Sequence, residues 1–391
     1  MFALNVLKAS GPTKDGKVGT GSGRNQPCWC GSGRKYKHCH LGRQHDQPLS
    51  IWDARQGQQK ILSSKICLHP QAGESSCFGP IVRAHTVRRS ADLQAIAREG
   101  HVYHPDSDVA TLNRTGGRIP AKLIGVNDAS TFWGFCQRHD GDTFSALENE
   151  PLVPTDEQAF LLAYRPLVKE LYLKERLIET FKMLRSSDRG KSLPRQVAIQ
   201  EYVHISSQAA VSSLRGLRAE KAAYDSDLLA KEFGAIRFLS IELSGQPDIV
   251  CSGVVQPTLS FAGDPIQNLT NLGTQLKDIA FSILATPAGG RAVFSWRSDA
   301  DGVCNPLVDS LLFMPWSAIP HSLVRFALSE LENVFFRPSW WESLSPEIAA
   351  ALQTRFMHGV DSRRGIGVGY AEDDGIRAVD WEVRNVRAKR E

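Results

Sequence analysis

The placement of cysteine and histidine constrains this chain more than any other feature. Eight cysteines are spread over 391 residues, and six of them, Cys28, Cys30, Cys39, Cys67, Cys77 and Cys136, lie near histidines in the first 136 positions. The opening stretch MFALNVLKAS lacks the basic start and long apolar run of an export signal. Clustered Cys and His without such a signal read as metal ligands in a reducing compartment, not as a disulfide framework. The expected location is therefore cytoplasmic. Cys251 and Cys304 stand in apolar surroundings far down the chain and read as small buried hydrophobes.

Composition adds two limits. No apolar run approaches the roughly 20 residues of a membrane span, so no membrane partner is expected. The formal net charge of +4 conceals an asymmetry, because residues 1–65 hold eleven Lys and Arg against three Asp. That segment carries +8 and the remainder −4. A basic head on a mildly acidic body suggests an anionic partner, nucleic acid first, and a solvated leader is the alternative.

Texture divides the chain. Residues 1–23 are a Gly-, Ser- and Lys-rich basic leader, 24–43 a compact Cys/His module, and 44–63 a Gln-rich linker or short helix. Residues 64–152 hold a second Cys/His group. Apolar residues then recur at helical spacing through Phe160, Tyr164, Leu167, Leu171 and Ile178, break at 186–194 and resume to Phe233. This pattern predicts a helical hairpin over 155–235. From Ile236 the texture turns to strands, at about 236–243, 249–255, 279–286 and 291–296, with a Pro-Ala-Gly-Gly turn before the last. Ser322–Phe335 reads as an amphipathic helix, Trp340 and Trp341 as packing, and 361–391 as a loose tail containing a Gly-rich loop at 365–369. The fold class expected is α+β and multidomain, with the C-terminal α/β domain over 236–360.

The first Cys/His module reads Cys28-Trp-Cys30-Gly-Ser-Gly-Arg-Lys-Tyr-Lys-His-Cys39-His40. Cys28, Cys30, Cys39 and His40 can close a tetrahedron around Zn²⁺, and four protein ligands make such a zinc structural. Gly31 and Gly33 suit the tight turn between the ligand pairs. Arg34, Lys35 and Lys37 favour thiolate over thiol. The pattern, C-x-C-x8-C-H, closely resembles the SEC-C motif, a zinc tail named after the SecA translocation ATPase. The resemblance covers about 20 residues. It implies docking to a protein or ribosomal partner, and a metal knuckle with no partner is the alternative. The architecture as a whole resembles bacterial SEC-C proteins, which also implies a cytoplasmic location.

In the second group, Cys67, Cys77, Cys136 and His139 can hold another structural zinc, with His69 as an alternative ligand. The segment between them resembles an HNH-type, treble-clef nuclease core, in which a strand ends in a histidine and a metal clip opens a helix. That resemblance implies that His85 is a general base and that Asp140 holds a catalytic Mg²⁺ or Mn²⁺. The family's middle Asn would fall near Asn127 or Thr131. Arg83, Arg88 and Arg89 surround His85 in sequence and can grip phosphate. The competing reading makes His85 a zinc ligand or the cap of a buried carbonyl. His101 and His104 read as loop residues, and Glu148 as a surface charge or a partner of His85. Two functions follow as expectations, a metal-dependent nuclease acting on DNA or RNA and, alternatively, a non-enzymatic zinc-stabilised adaptor.

Overall fold

A computed structural model describes residues 23–108, 111, 114–268, 275–358 and 368–390. The basic leader, apart from Gly23, lies outside the described residues, as does most of the Gly-rich stretch at 365–369. In chain order the first elements are α1 (Ile51–Leu62), β1 (Ile81–His85), β2 (His101–Pro105), β3 (Ala121–Gly125) and β4 (Thr131–Cys136). Then come α2 (Gln137–Thr143), α3 (Ser145–Glu148) and two long helices, α4 (Asp156–Leu184) and α5 (Leu193–Ala230). Strands β5 (Ile236–Leu243), β6 (Ile249–Val255), β7 (Ile279–Thr286) and β8 (Gly289–Arg297) follow. The chain continues with α6 (Asp301–Leu312), α7 (Ile319–Glu330), β9 (Val334–Phe336), α8 (Pro338–Ser343), α9 (Pro346–His358), α10 (Val368–Ala371) and β10 (Val383–Lys389). The protein is thus a mixed α+β structure.

The elements fall into two compact units. One combines the segment up to Ser64 with residues 171–215, and the other combines 65–170 with 216–391. In the first, the facing stretches of α4 and α5 pack Phe181 against Ile199, Val203 and Ala210. Ser50 caps α1 by accepting the Asp53 N–H, and Tyr172 Oη donates to the Leu62 carbonyl at the other end. Gly57 lets α1 approach Met183, whose sulfur lies 2.5 Å from where a Cβ would stand.

Among the described residues, the second unit holds two sheets. β1 and β4 form an antiparallel pair, with Ile81 opposite Cys136 and His85 opposite Thr131. The larger sheet runs β10-β5-β8-β7-β6-β9-β2-β3. The pairs resolved in it are antiparallel throughout. β7 and β8 are buried along nearly their whole length, which matches their near-continuous apolar and small residues. One face packs Phe281 on Phe294 at 4.4 Å and edge-on to Phe326 at 5.2 Å.

Three readings of local structure change. The helix expected over 322–335 stops at Glu330, and Val334–Phe336 leaves it to pair as β9 with β6. The loose tail contains β10, an edge strand paired with β5 from Val383 to Lys389. Its charged side chains are held: Lys389 binds Asp156 and Arg390 binds Asp309. His101 and His104 lie on β2, whose register against β3 runs from His101–Gly125 to Pro105–Ala121. The hairpin of β2 and β3 interrupts the sequence between β1 and β4 and extends the large sheet, so the second Cys/His segment and the C-terminal segment share one core.

Candidate metal centres and the His85 site

The first Cys/His set is folded by its turn. Gly31 and Gly33 adopt φ of 71° and 73°, a left-handed backbone that glycine takes at no steric cost. The turn is closed by Cys28 N–H donating to the Arg34 carbonyl at 2.8 Å. A short helical turn at Tyr36–His38 then brings Cys39 and His40 back, with His40 N–H donating to the Tyr36 carbonyl. The four ligand atoms of Cys28, Cys30, Cys39 and His40 lie within 4.8 Å of one another. His40 Nδ1 is 3.1 Å from Cys28 Sγ, and Cys30 Sγ is 3.5 Å from Cys39 Sγ. Burial pushes the Cys28 thiol up to about 12. Burial also raises Cys30, but hydrogen bonds from His40 and Ser32 outweigh it and bring that thiol down to about 6.

The second set is assembled from three places in the second unit. The extended segment at Cys67 pairs with β4, since Leu68 N–H donates to the Gly134 carbonyl at 2.8 Å. Cys77 N–H donates to Gly73, and the following Phe78-Gly79-Pro80 wraps the start of α2 through bonds from Gln137 and Arg138. Gly79 is required there: its φ is 73°, and a Cβ would meet the Gln137 side chain at 2.7 Å. Cys136 ends β4 and caps α2, and His139 follows one turn later. His139 Nδ1 faces all three sulfurs, at 3.3 Å from Cys67, 3.4 Å from Cys136 and 3.8 Å from Cys77. Burial opposes ionisation of Cys136, yet the backbone amides of His139 and Phe78 lower its thiol overall. His69 is outside the set. Its ring stacks on His139 at 4.0 Å, and burial lowers its imidazole to about 4.

Both sets offer three sulfurs and one imidazole nitrogen, all suited to tetrahedral Zn²⁺. The described residues gather no other such convergence of His, Cys and carboxylate ligands, and neither His85 nor Asp140 belongs to these two.

His85 closes β1. Its Nε2 lies 3.3 Å from the Val126 carbonyl, which anchors one ring nitrogen and leaves the other as an acceptor. Burial lowers its imidazole below the ordinary range; Arg89 and Arg165 push the same way, while the Val126 carbonyl and Glu148 oppose them. Asp140, in the first turn of α2, feels the same Arg165 and Glu148. Burial raises its carboxyl, and its Oδ1 is buried without a hydrogen-bond partner. Glu148 pairs with Arg165 at 2.7 Å, and that guanidinium lies over the Phe144 ring. Glu148, which the sequence reads as a surface charge or a partner of His85, comes from α3, whereas Arg165, on α4, is announced by no spacing in the sequence.

The arginines separate sharply. Arg88 is buried, not poised for phosphate: it pairs with Asp92 and donates to the Leu147 and Ala285 carbonyls. Arg83 is exposed and pairs with Asp128, and the exposed Arg89 donates to Asn127 Oδ1 at 3.0 Å. Asn127 is thereby engaged, and Thr131 donates to the Asp128 carbonyl.

Comparison with known proteins bears on the first set. The family described as SEC-C motif matches residues 24–42. This stretch is a SEC-C motif. The protein translocase subunit SecA of Chloroflexus aurantiacus is 71% identical over 98 residues, covering 25% of this chain and 8% of the relative. SecA of Chloroflexus aggregans is 75% identical over 24 residues, 6% of this chain and 2% of the relative. A methionine aminopeptidase of Chlamydia trachomatis is 58% identical over 26 residues, 7% of this chain and 9% of the relative. The chain thus spans less than a tenth of the length of each of these relatives. The family match, together with the convergent Cys/His set, supports zinc-binding chemistry for residues 24–42. No solved structure matches the chain. No helix among the described residues is long and apolar enough to cross a membrane.

Proposed function

We propose that the second Cys/His set holds together an HNH-type, treble-clef module that hydrolyses phosphodiester bonds of DNA or RNA at His85. The observation that carries this reading is the joint setting of His85 and Asp140. A β1–β4 pair runs directly into a helix that starts on two ligands of the set, and both side chains sit in the field of Arg165 and Glu148. A neutral imidazole with one nitrogen anchored on Val126 is fit to take a proton from water. The hydroxide so formed attacks phosphorus, the P–O bond to the leaving oxygen breaks, and that oxygen takes up a proton. The unpartnered Oδ1 of Asp140 is the atom that would meet a hard divalent cation such as Mg²⁺ or Mn²⁺, with Glu148, held by Arg165, near enough to act on it electrostatically. When bound, such a cation supplies charge stabilisation to the phosphate oxygens.

The test is cleavage of DNA and RNA by the full chain with Mg²⁺ or Mn²⁺. His85→Ala is expected to lower the rate by about 10²–10⁴-fold with zinc content unchanged. Wild-type protein that cleaves neither polymer with either ion would remove the enzyme reading, and zinc loss in His85→Ala would make the residue a ligand.

A second reading has its own observation. The SEC-C motif exposes Arg34 and Lys35 beside its metal set, within the basic head. It makes the motif a non-enzymatic adaptor that docks a protein or ribosomal partner presenting an anionic surface, in a cytoplasmic protein. Binding of this kind weakens as salt rises, because each neutralised phosphate releases counterions. RNA affinity that is insensitive to salt, or unchanged by removal of residues 1–43, would contradict it.

A further inference from the structure

Within the first unit, the zinc ligand His40 is tied on its far side. Its Nδ1 faces Cys28, while its Nε2 lies 2.7 Å from Asp188 Oδ2. A carboxylate only accepts, so Nε2 carries the hydrogen, and in the neutral ring that a metal binds Nδ1 keeps the lone pair. Both His40 and Asp188 are buried, at 3% and 0% exposure. Asp188 is itself fully engaged. Its Oδ1 accepts Arg43 Nε at 2.6 Å, and its Oδ2 accepts Gln200 Nε2 at 2.7 Å. Arg43 also donates to the Arg185 carbonyl, and Gly190 N–H donates to the Arg43 carbonyl. Asp188 stands in the break between α4 and α5, 148 residues from the histidine it holds.

We propose that Asp188 is a positioning residue for zinc at the SEC-C motif, fixing the tautomer and orientation of His40 and coupling metal loading to the turn at residues 185–200. The proposal rests on zinc occupying the first set and is independent of the nuclease reading. Outer partners of metal-bound histidines are worth about 10–100-fold in metal affinity. Coupling of this kind is reciprocal, so zinc holds the turn as firmly as the turn holds zinc.

The test uses the full chain loaded with zinc and titrated with a competing chelator, zinc per chain being counted by native mass spectrometry. Cys39→Ser identifies the zinc of the first set as the one it lacks. Asp188→Asn is expected to release that zinc alone at about 10–100-fold weaker competition, with the second zinc retained as evidence that the rest is folded. Gln200→Ala removes a partner of Asp188 without touching His40 and is expected to leave the release unchanged. Release of the first zinc from Asp188→Asn as in wild type, or an equal shift in Gln200→Ala, would make Asp188 a packing residue and overturn the proposal. Cys39→Ser should also raise amide exchange across residues 185–200, and unchanged exchange there would contradict the coupling. Equal zinc content in Cys39→Ser and wild type would overturn the zinc reading of this set and the proposal with it.

Discussion

At the scale of single residues, burial decides which of several similar side chains is free to act. Arg83, Arg88 and Arg89 look alike in the sequence, yet Arg88 alone is enclosed, with its partner Asp92 fully buried. Breaking a buried pair by removing one partner leaves an uncompensated charge, so Arg88→Ala should cost about 3–5 kcal/mol in denaturant unfolding. A variant that folds normally and only loses nucleic-acid binding would contradict this placement. His85 shows the same influence on chemistry. Burial holds its imidazole below the ordinary value of 6.5. A base works unprotonated, so cleavage should be complete above the lowered value and lost as pH falls through it. A pH–rate profile whose acid limb lies above 6.5 would assign the step to another group. No sequence pattern pointed to Asp188 or Arg165, because each acts across a separation that only the folded chain closes.

At the scale of elements, the ligand spacings were legible and the strand partners were not. Cys28, Cys30, Cys39 and His40, and likewise Cys67, Cys77, Cys136 and His139, converge as their types and intervals suggest. β5, β6 and β7 fall where alternating or continuous apolar runs place them. β9 was hidden because Val334-Phe335-Phe336 continues the apolar content of the helix before it. β10 was hidden because three of its seven residues, Val-Arg-Asn-Val-Arg-Ala-Lys, are charged and break any apolar alternation, as suits an edge strand whose outer side is unpaired. Deleting residues 382–391 exposes the β5 edge and should promote self-association, measurable by light scattering. A truncated chain that stays monomeric and as stable as the whole would contradict that role. Cys136→Ser acts on β4 and α2 together, since the thiol belongs to the second Cys/His set and also caps α2. It should remove one zinc and lower the melting of the second unit by on the order of 10 °C.

At the scale of the whole molecule, metal sets and apolar cores divide the work. The first set sits in a motif of about 20 residues, too short to bury a core of its own, so its local fold is expected to depend on a bound metal. The second set lies at the end of the β1–β4 pair, in a unit that also has an extensive core around the large sheet. Elemental analysis of the purified protein decides whether each Cys/His set holds one zinc. Two zinc ions per chain are expected, falling to one in Cys39→Ser and to one in Cys136→Ser; one zinc or fewer in the wild-type chain would rule out two metal sites.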